Sequence, residues 1–272
     1  MRCEETWFPA RGERVTISAW HLPAPGAERA IIVAHGVGGR RGKEFTIPSH
    51  ELLGYLVAQG FTVLVLDLRG HGDSSPARMT YGDSERRDIL GAADWLLGRG
   101  YAPGTIGVLG LSMGGVAGIG AARAEPAIGA LVVDSSCADF VAMLREHFRS
   151  YSKLPQFFLP GALLLGRLLT GVQLERLRPA ELLRSSARRP LLVIHARGDA
   201  LVPAAHAQAL AEAGNGALWL TDAPEHLGSF AADPQGYCAC VGQFFDAALG
   251  EADVPAPGAY LSVALRVWAK HP

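Results

Sequence analysis

Lysine is nearly missing from this chain. Lys43, Lys153 and Lys270 are the only three, and arginine supplies the rest of the 25 Lys+Arg. They face 26 Asp+Glu, for a formal net charge of −1. A nucleic-acid-binding chain carries a basic face or stripe, and this balance points to none. Cysteine is scarce too, with Cys3, Cys137, Cys238 and Cys240. Cys238-Ala239-Cys240 lacks the spacing of a redox or zinc C-x-x-C pair, so buried free thiols are expected and no metal or disulfide framework. The longest apolar run, 157–169, has 13 residues and holds Pro160 and Arg167, too short to span a membrane. The first seven residues contain no apolar segment of the kind that opens a secretory signal. The expected location is therefore the cytoplasm. No internal repeats occur.

Apolar residues make up 49% of the 272, enough to bury the core of one large α/β domain or two small ones. Near-continuous apolar runs at 30–34, 61–66, 106–109, 128–133 and 191–194 read as buried strands, with a weaker sixth at 217–220. Runs without polar alternation suit a parallel sheet covered on both faces. Residues 14–22 read as a further strand, with 6–9 as a partner for it. Helix-like stretches at 49–59, 84–97, 114–124, 204–213 and 234–249 lie between the runs. This order predicts a doubly wound, mostly parallel sheet.

The rhythm stops from 134 to 190. Residues 140–151 look amphipathic, 154–169 are strongly apolar, and 174–183 are short and charged around Pro179. We read 139–180 as a helical cap inserted late in the sheet, with 1–138 and 181–272 as the core. The competing reading is a helix pair packed on the sheet. Beyond residue 250 a loop to 257 and a docked helix at 260–268 are expected.

One pentapeptide carries the chemistry: Gly110-Leu111-Ser112-Met113-Gly114, between a strand run and a small-residue helix. Strand, sharp turn and helix is the context in which such a serine is pushed out as a nucleophile. A serine hydroxyl needs a base within hydrogen-bond reach, and imidazole is suited to that near neutral pH. Of nine histidines, His226 stands in the loop after the last strand run, at the same end of the sheet as Ser112. His195 ends a strand, and His206 falls inside a helix. A carboxylate should orient the imidazole and stabilise its cation. Asp199 follows the 191–194 run and is the first candidate. Asp134, Asp139 and Glu225 compete with it. The tetrahedral oxygen needs fixed N–H donors. Met113 follows the serine at a helix start, and Val37 lies in the glycine-rich turn His35-Gly36-Val37-Gly38-Gly39. A phosphate-binding loop is the other reading of that turn, but the later glycine and any G-K-[ST] are missing.

With these residues in place, the chain resembles the α/β-hydrolase superfamily, in its group of serine esterases, acylglycerol lipases and proline iminopeptidase-like enzymes. Asp67-Leu68-Arg69-Gly70-His71-Gly72-Asp73-Ser74 is similar to that group's D-x-R-G-x-G-x-S loop. Gly198-Asp199-Ala200-Leu201-Val202-Pro203 is similar to its acid loop, and Pro224-Glu225-His226 to its histidine loop. The likeness covers residues 15–249 and keeps the order Ser, Asp, His. It implies the α/β-hydrolase fold, a structural role for His71 and a cap that sets the substrate.

The expected activity is hydrolysis of a small-molecule carboxylic ester with an apolar acyl or aromatic group, through an acyl-enzyme and without cofactor or metal. Peptidase or amidase action remains open and would need an acidic cap residue, such as Glu146 or Glu175, for a free amine. Thioesterase action and a non-catalytic binding role remain open too. The expected acyl wall is Phe158, Leu163, Leu164, Leu165 and Leu168. Three consecutive leucines cannot share one helix face. At least one should therefore face the site and at least one the core. The sequence leaves the oligomeric state open.

Overall fold

The computed structural model describes residues 2–45 and 47–250, so the expected final loop and helix beyond 250 lie outside the described residues. In chain order the strands are β1 (Glu4–Pro9), β2 (Thr16–Leu22), β3 (Arg29–Ala34), β4 (Phe61–Leu66), β5 (Ile106–Leu111), β6 (Ile128–Asp134), β7 (Leu191–Ala196) and β8 (Ala217–Thr221). The helices are α1 (His50–Ala58), α2 (Arg86–Leu97), α3 (Met113–Ala124), α4 (Phe140–Ser152), α5 (Leu159–Thr170), α6 (Pro179–Arg184), α7 (Ala204–Gly214), α8 (Ser229–Ala232) and α9 (Pro234–Leu249).

The eight strands form one sheet in the order β1-β2-β4-β3-β5-β6-β7-β8. β1 pairs antiparallel with β2, and β2 with β4; every later pairing is parallel. This is a doubly wound α/β-hydrolase fold with a helical cap. All residues of β4, β5 and β7 are buried, which explains their unbroken apolar sequences. Successive side chains still divide between the two faces. Ala30, Ile32 and Ala34 join Ala93, Leu96, Ala117 and Leu210 on one side. Ile31 and Val33 join Leu52, Leu56, Tyr237 and Phe245 on the other. Full burial of one such side chain stabilises by roughly 1.5–3 kcal/mol.

The strand order reverses at β3, whose neighbours are β4 and β5. The crevice outside the carboxyl ends of strands at such a point is where open α/β sheets hold ligands. The glycine-rich turn after β3 and Ser112 after β5 both open there.

Between β6 and α6 the chain runs through α4, a short 3-10 turn at Gln156–Phe158, α5, and a second at Leu174–Arg176. The Asp139 side chain caps α4 by accepting from the Ala142 amide at 2.8 Å. Pro160 opens α5, and left-handed Gly171 (φ 74°) closes it. The apolar positions of α5 do not meet the expectation drawn from its sequence. Leu159 is its buried residue, and Leu164, Leu165, Leu168 and Leu169 are exposed, as are Phe157 and Phe158 before it. The reason is that one face of α5 meets the rest of the cap while, among the described residues, no element lies over the opposite face. Leu164 and Leu165 therefore share the outward side, and neither points to the core. Among the described residues no single helix is long and apolar enough to cross a membrane.

Candidate active site

Ser112 sits between β5 and α3 at φ 52°, ψ −114°, a conformation that side chains rarely adopt. Two glycines make the turn possible. A Cβ on Gly110 would lie 2.5 Å from the Gly114 carbonyl oxygen, and one on Gly114 would lie 2.1 Å from that of Ala34. The Ser112 amide donates to the Asp134 carbonyl at 2.8 Å, and the Ser136 hydroxyl donates to the Ser112 carbonyl at 2.8 Å. The bend is therefore held from β6 as well as from its own helix.

The His226 ring reaches Ser112 and Asp199 together. Its Nε2 lies 3.0 Å from Ser112 Oγ, and its Nδ1 lies 2.7 Å from Asp199 Oδ2. The carboxylate fixes the tautomer, because an oxygen that can only accept requires the proton on Nδ1. Nε2 is then free to accept the serine proton. Burial works to raise the Asp199 pKa, but the hydrogen bonds from His226 and the Val202 amide outweigh it and leave the group lowered. The Leu201 and Val202 amides both donate to its Oδ1 at 2.9 Å.

The other candidate carboxylates are engaged elsewhere. Asp139 is the α4 cap, and Glu225 is exposed. Asp134 is fully buried and accepts from Ser135 Oγ at 2.8 Å and from the Tyr237 hydroxyl at 2.9 Å. Burial pushes its pKa up to about 6. Ser135 Oγ in turn accepts from the Leu227 amide at 3.2 Å, next to His226. Ser135 and Leu227 both have positive φ, 54° and 58°. Nothing in the amino-acid pattern around Ser135 and Leu227 signals this support.

The turn after β3 is braced by its own histidine. His35 Nδ1 donates to the Gly36 carbonyl at 2.7 Å, and its Nε2 accepts from the Leu68 amide at 3.0 Å. Burial lowers its pKa to about 4, which keeps the ring neutral and able to accept. His71 Nε2 accepts from the Gly38 amide at 3.4 Å. Gly36 comes so close to the serine that an added Cβ would lie 3.0 Å from Ser112 Cβ. In the 67–74 loop, Arg41 pairs with Asp67 at 2.8 Å and Arg69 with Asp88 at 2.7 Å, both buried. That loop is scaffold for the turn.

A cavity of about 400 Å³ opens over Ser112 and His226. Val37 and Met113 line it beside the serine, and its apolar wall includes Phe140, Met143, Leu144, Leu174 and Tyr81. The wall expected from α5 is absent from it. Phe158, Leu164, Leu165 and Leu168 point outward, and Leu163 lines an adjoining cavity instead. The residues that replace them were legible in part, since Phe140, Met143 and Leu144 repeat at the i, i+3, i+4 spacing of one helix face. Cys137 also lines the cavity, but burial pushes its thiol up to about 12, so it holds no thiolate at neutral pH. Among the described residues no cluster of His, Cys, Asp or Glu could hold a metal ion.

Fold and crevice together define an α/β-hydrolase, an enzyme built on the serine-hydrolase fold. The profile of the X-Pro dipeptidyl-peptidase (S15) family matches residues 9–221, and the chain belongs to that family. The matched part includes Ser112 and Asp199 and ends five residues before His226. The chain is 27% identical over 235 residues to an uncharacterized protein of Bacillus subtilis (strain 168), YqkD, covering 85% of this chain and 75% of that one. It is similar to the Pyrococcus furiosus esterase Pf2001, with 25% identity and a TM-score of 0.72 over 92% of this chain and 94% of the other. It shares its fold with the Pyrococcus horikoshii acylaminoacyl peptidase, at 15% identity and TM-score 0.70, covering 95% of this chain and 44% of that one.

Proposed function

We propose that the protein hydrolyses a carboxylic ester with an apolar acyl or aromatic group through an acyl-enzyme. Ser112 Oγ attacks the carbonyl while His226 Nε2 takes its proton. Asp199 holds the imidazole and stabilises its cation. The amides of Val37 and Met113 receive the developing oxyanion. His226 returns the proton to the leaving alcohol and then activates the water that frees the acid. Residues 139–180 act as the cap that walls the acyl site. Four free cysteines suit a reducing compartment such as the cytoplasm.

The observation that favours an ester is the cavity lining, which includes no Asp or Glu among the described residues. A peptidase that captures a free N-terminal amine needs a carboxylate in reach. Glu146 stands 3.8 Å from His206, outside this lining, and Glu175 is absent from it too. The family match supports the other reading, cleavage of peptides after an X-Pro pair, more directly than it supports esters. A side-by-side assay decides between them: p-nitrophenyl esters of graded length against X-Pro p-nitroanilides. The ester reading expects the larger kcat/KM on the ester series. Faster cleavage of an X-Pro anilide would replace it with the peptidase reading.

A further inference from the structure

The cavity over Ser112 does not end at α4. A second cavity of about 510 Å³ adjoins it, and the two share Tyr81, Met143, Leu144, Leu174 and Leu201 as walls. The second lies between α4, α5 and the 78–81 segment. Its lining is apolar except at a few places, and its two charged members, Arg78 and Arg167, are both arginines; among the described residues no Asp or Glu lines it. Among the described residues neither the Arg78 nor the Arg167 side chain has a carboxylate partner. Arg78 Nη1 would lie 3.7 Å from a Cβ on Gly171, the residue that closes α5. Arg167 belongs to the last turn of that helix, so both arginines line the cavity near the carboxyl end of α5.

From this arrangement we propose that the second cavity is a subsite for the far end of the substrate, and that this far end is an anion. The proposal rests on the acyl-hydrolase reading of Ser112 and gives it a substrate class. The substrate is a long apolar chain with its ester carbonyl at Ser112 and a terminal carboxylate, or a group of the same charge, at Arg78 and Arg167. The shared apolar wall accepts the chain. A guanidinium beside an apolar wall gains from an anion that supplies both charge and hydrogen-bond acceptors. An uncharged chain of equal length would leave that end unmatched, and a terminal ammonium would meet like charge. Gly166 gives the subsite room, since it lines the cavity and a Cβ there would meet nothing within 4 Å.

The test separates binding from turnover. Ser112→Ala protein is titrated by calorimetry with the monomethyl and the dimethyl ester of dodecanedioic acid. The monomethyl ester should bind about tenfold more tightly, as two charge-assisted contacts allow. In Ser112→Ala carrying Arg78→Glu and Arg167→Glu that ratio should fall to about one or below. Gly166→Phe, which adds a helix former where space exists, should weaken both ligands and shorten the best acyl chain in the p-nitrophenyl series. Equal affinity for the two esters in the parent Ser112→Ala protein overturns the proposal. So does a lowered Tm in the arginine variants with the affinity ratio unchanged, which would make those side chains a cap for the α5 end only. A preference for the monomethyl ester without turnover of any ester would support the subsite while removing the ester reading. Turnover without that preference would do the reverse.

Discussion

Tyr237 donates its hydroxyl hydrogen to Asp134 Oδ2 at 2.9 Å, although 103 residues separate them. Ser135 occupies the other oxygen. The carboxyl at the end of β6 is thus committed to α9 and to its own loop, and the ring of His226 turns to Asp199.

Asp199→Asn should cost roughly 10⁴ in kcat, because an amide in place of the carboxylate no longer selects the reactive tautomer. Asp134→Asn should cost far less, because its oxygens touch neither ring nitrogen. Steady-state rates of the two variants on one substrate make the comparison. The reverse order of losses would move the acid to the end of β6.

Ser112→Ala should abolish covalent labelling by a fluorophosphonate probe and leave the thermal transition in place or higher. The alanine keeps the bend but loses the hydroxyl. Labelling at the parent level, read on a gel, would put the nucleophile elsewhere.

Asp134 also gives stability a pH dependence. Its pKa is raised in the fold to about 6. The stability that goes with its protonated form is complete below the unfolded value and is lost as pH rises through about 6. For a carboxyl moved this far the loss is on the order of 3 kcal/mol. Asp199, lowered in the fold, acts in the opposite sense: its contribution is present above the unfolded value and fades as pH falls through the folded one. Asp134→Asn should therefore lose less stability than the parent between pH 4 and pH 7. Urea midpoints across that range test it, and parallel curves would show that Asp134 does not titrate there.

Leu164→Gln and Leu168→Gln should leave Tm within about 1 °C and leave the chain-length profile as it was, because both side chains already face water. Met143→Ala should change the profile, because Met143 walls both cavities. A profile altered by Leu168→Gln and untouched by Met143→Ala would return the acyl wall to α5.

The strands and the turn around Ser112 could be read from the sequence because each leaves a local mark. A buried parallel strand shows as an unbroken apolar run, and 30–34, 61–66 and 191–194 fall on β3, β4 and β7. Gly110 and Gly114 mark close approaches that only glycine permits. The direction of α5 leaves no such mark. Its leucines are apolar all round, so the sequence cannot say which side meets the cap. The positive φ of Tyr81, Ser135 and Leu227 is equally silent, since no glycine stands there to announce it. Tyr237 reads as an ordinary member of an apolar helix until the fold brings Asp134 to its hydroxyl.

Ser112, Ser135 and Leu227 hold left-handed backbone that glycine would adopt at less cost, each at a strain of about 1–3 kcal/mol. They surround His226 from both sides. A lineage released from the need for this chemistry would have an easy route to a sturdier molecule, by letting glycine drift into these positions. Its descendants would withstand more heat and lose the shape of this crevice. The bends that make the site are therefore held against the stability of the fold, by serine at 112 and 135 and leucine at 227.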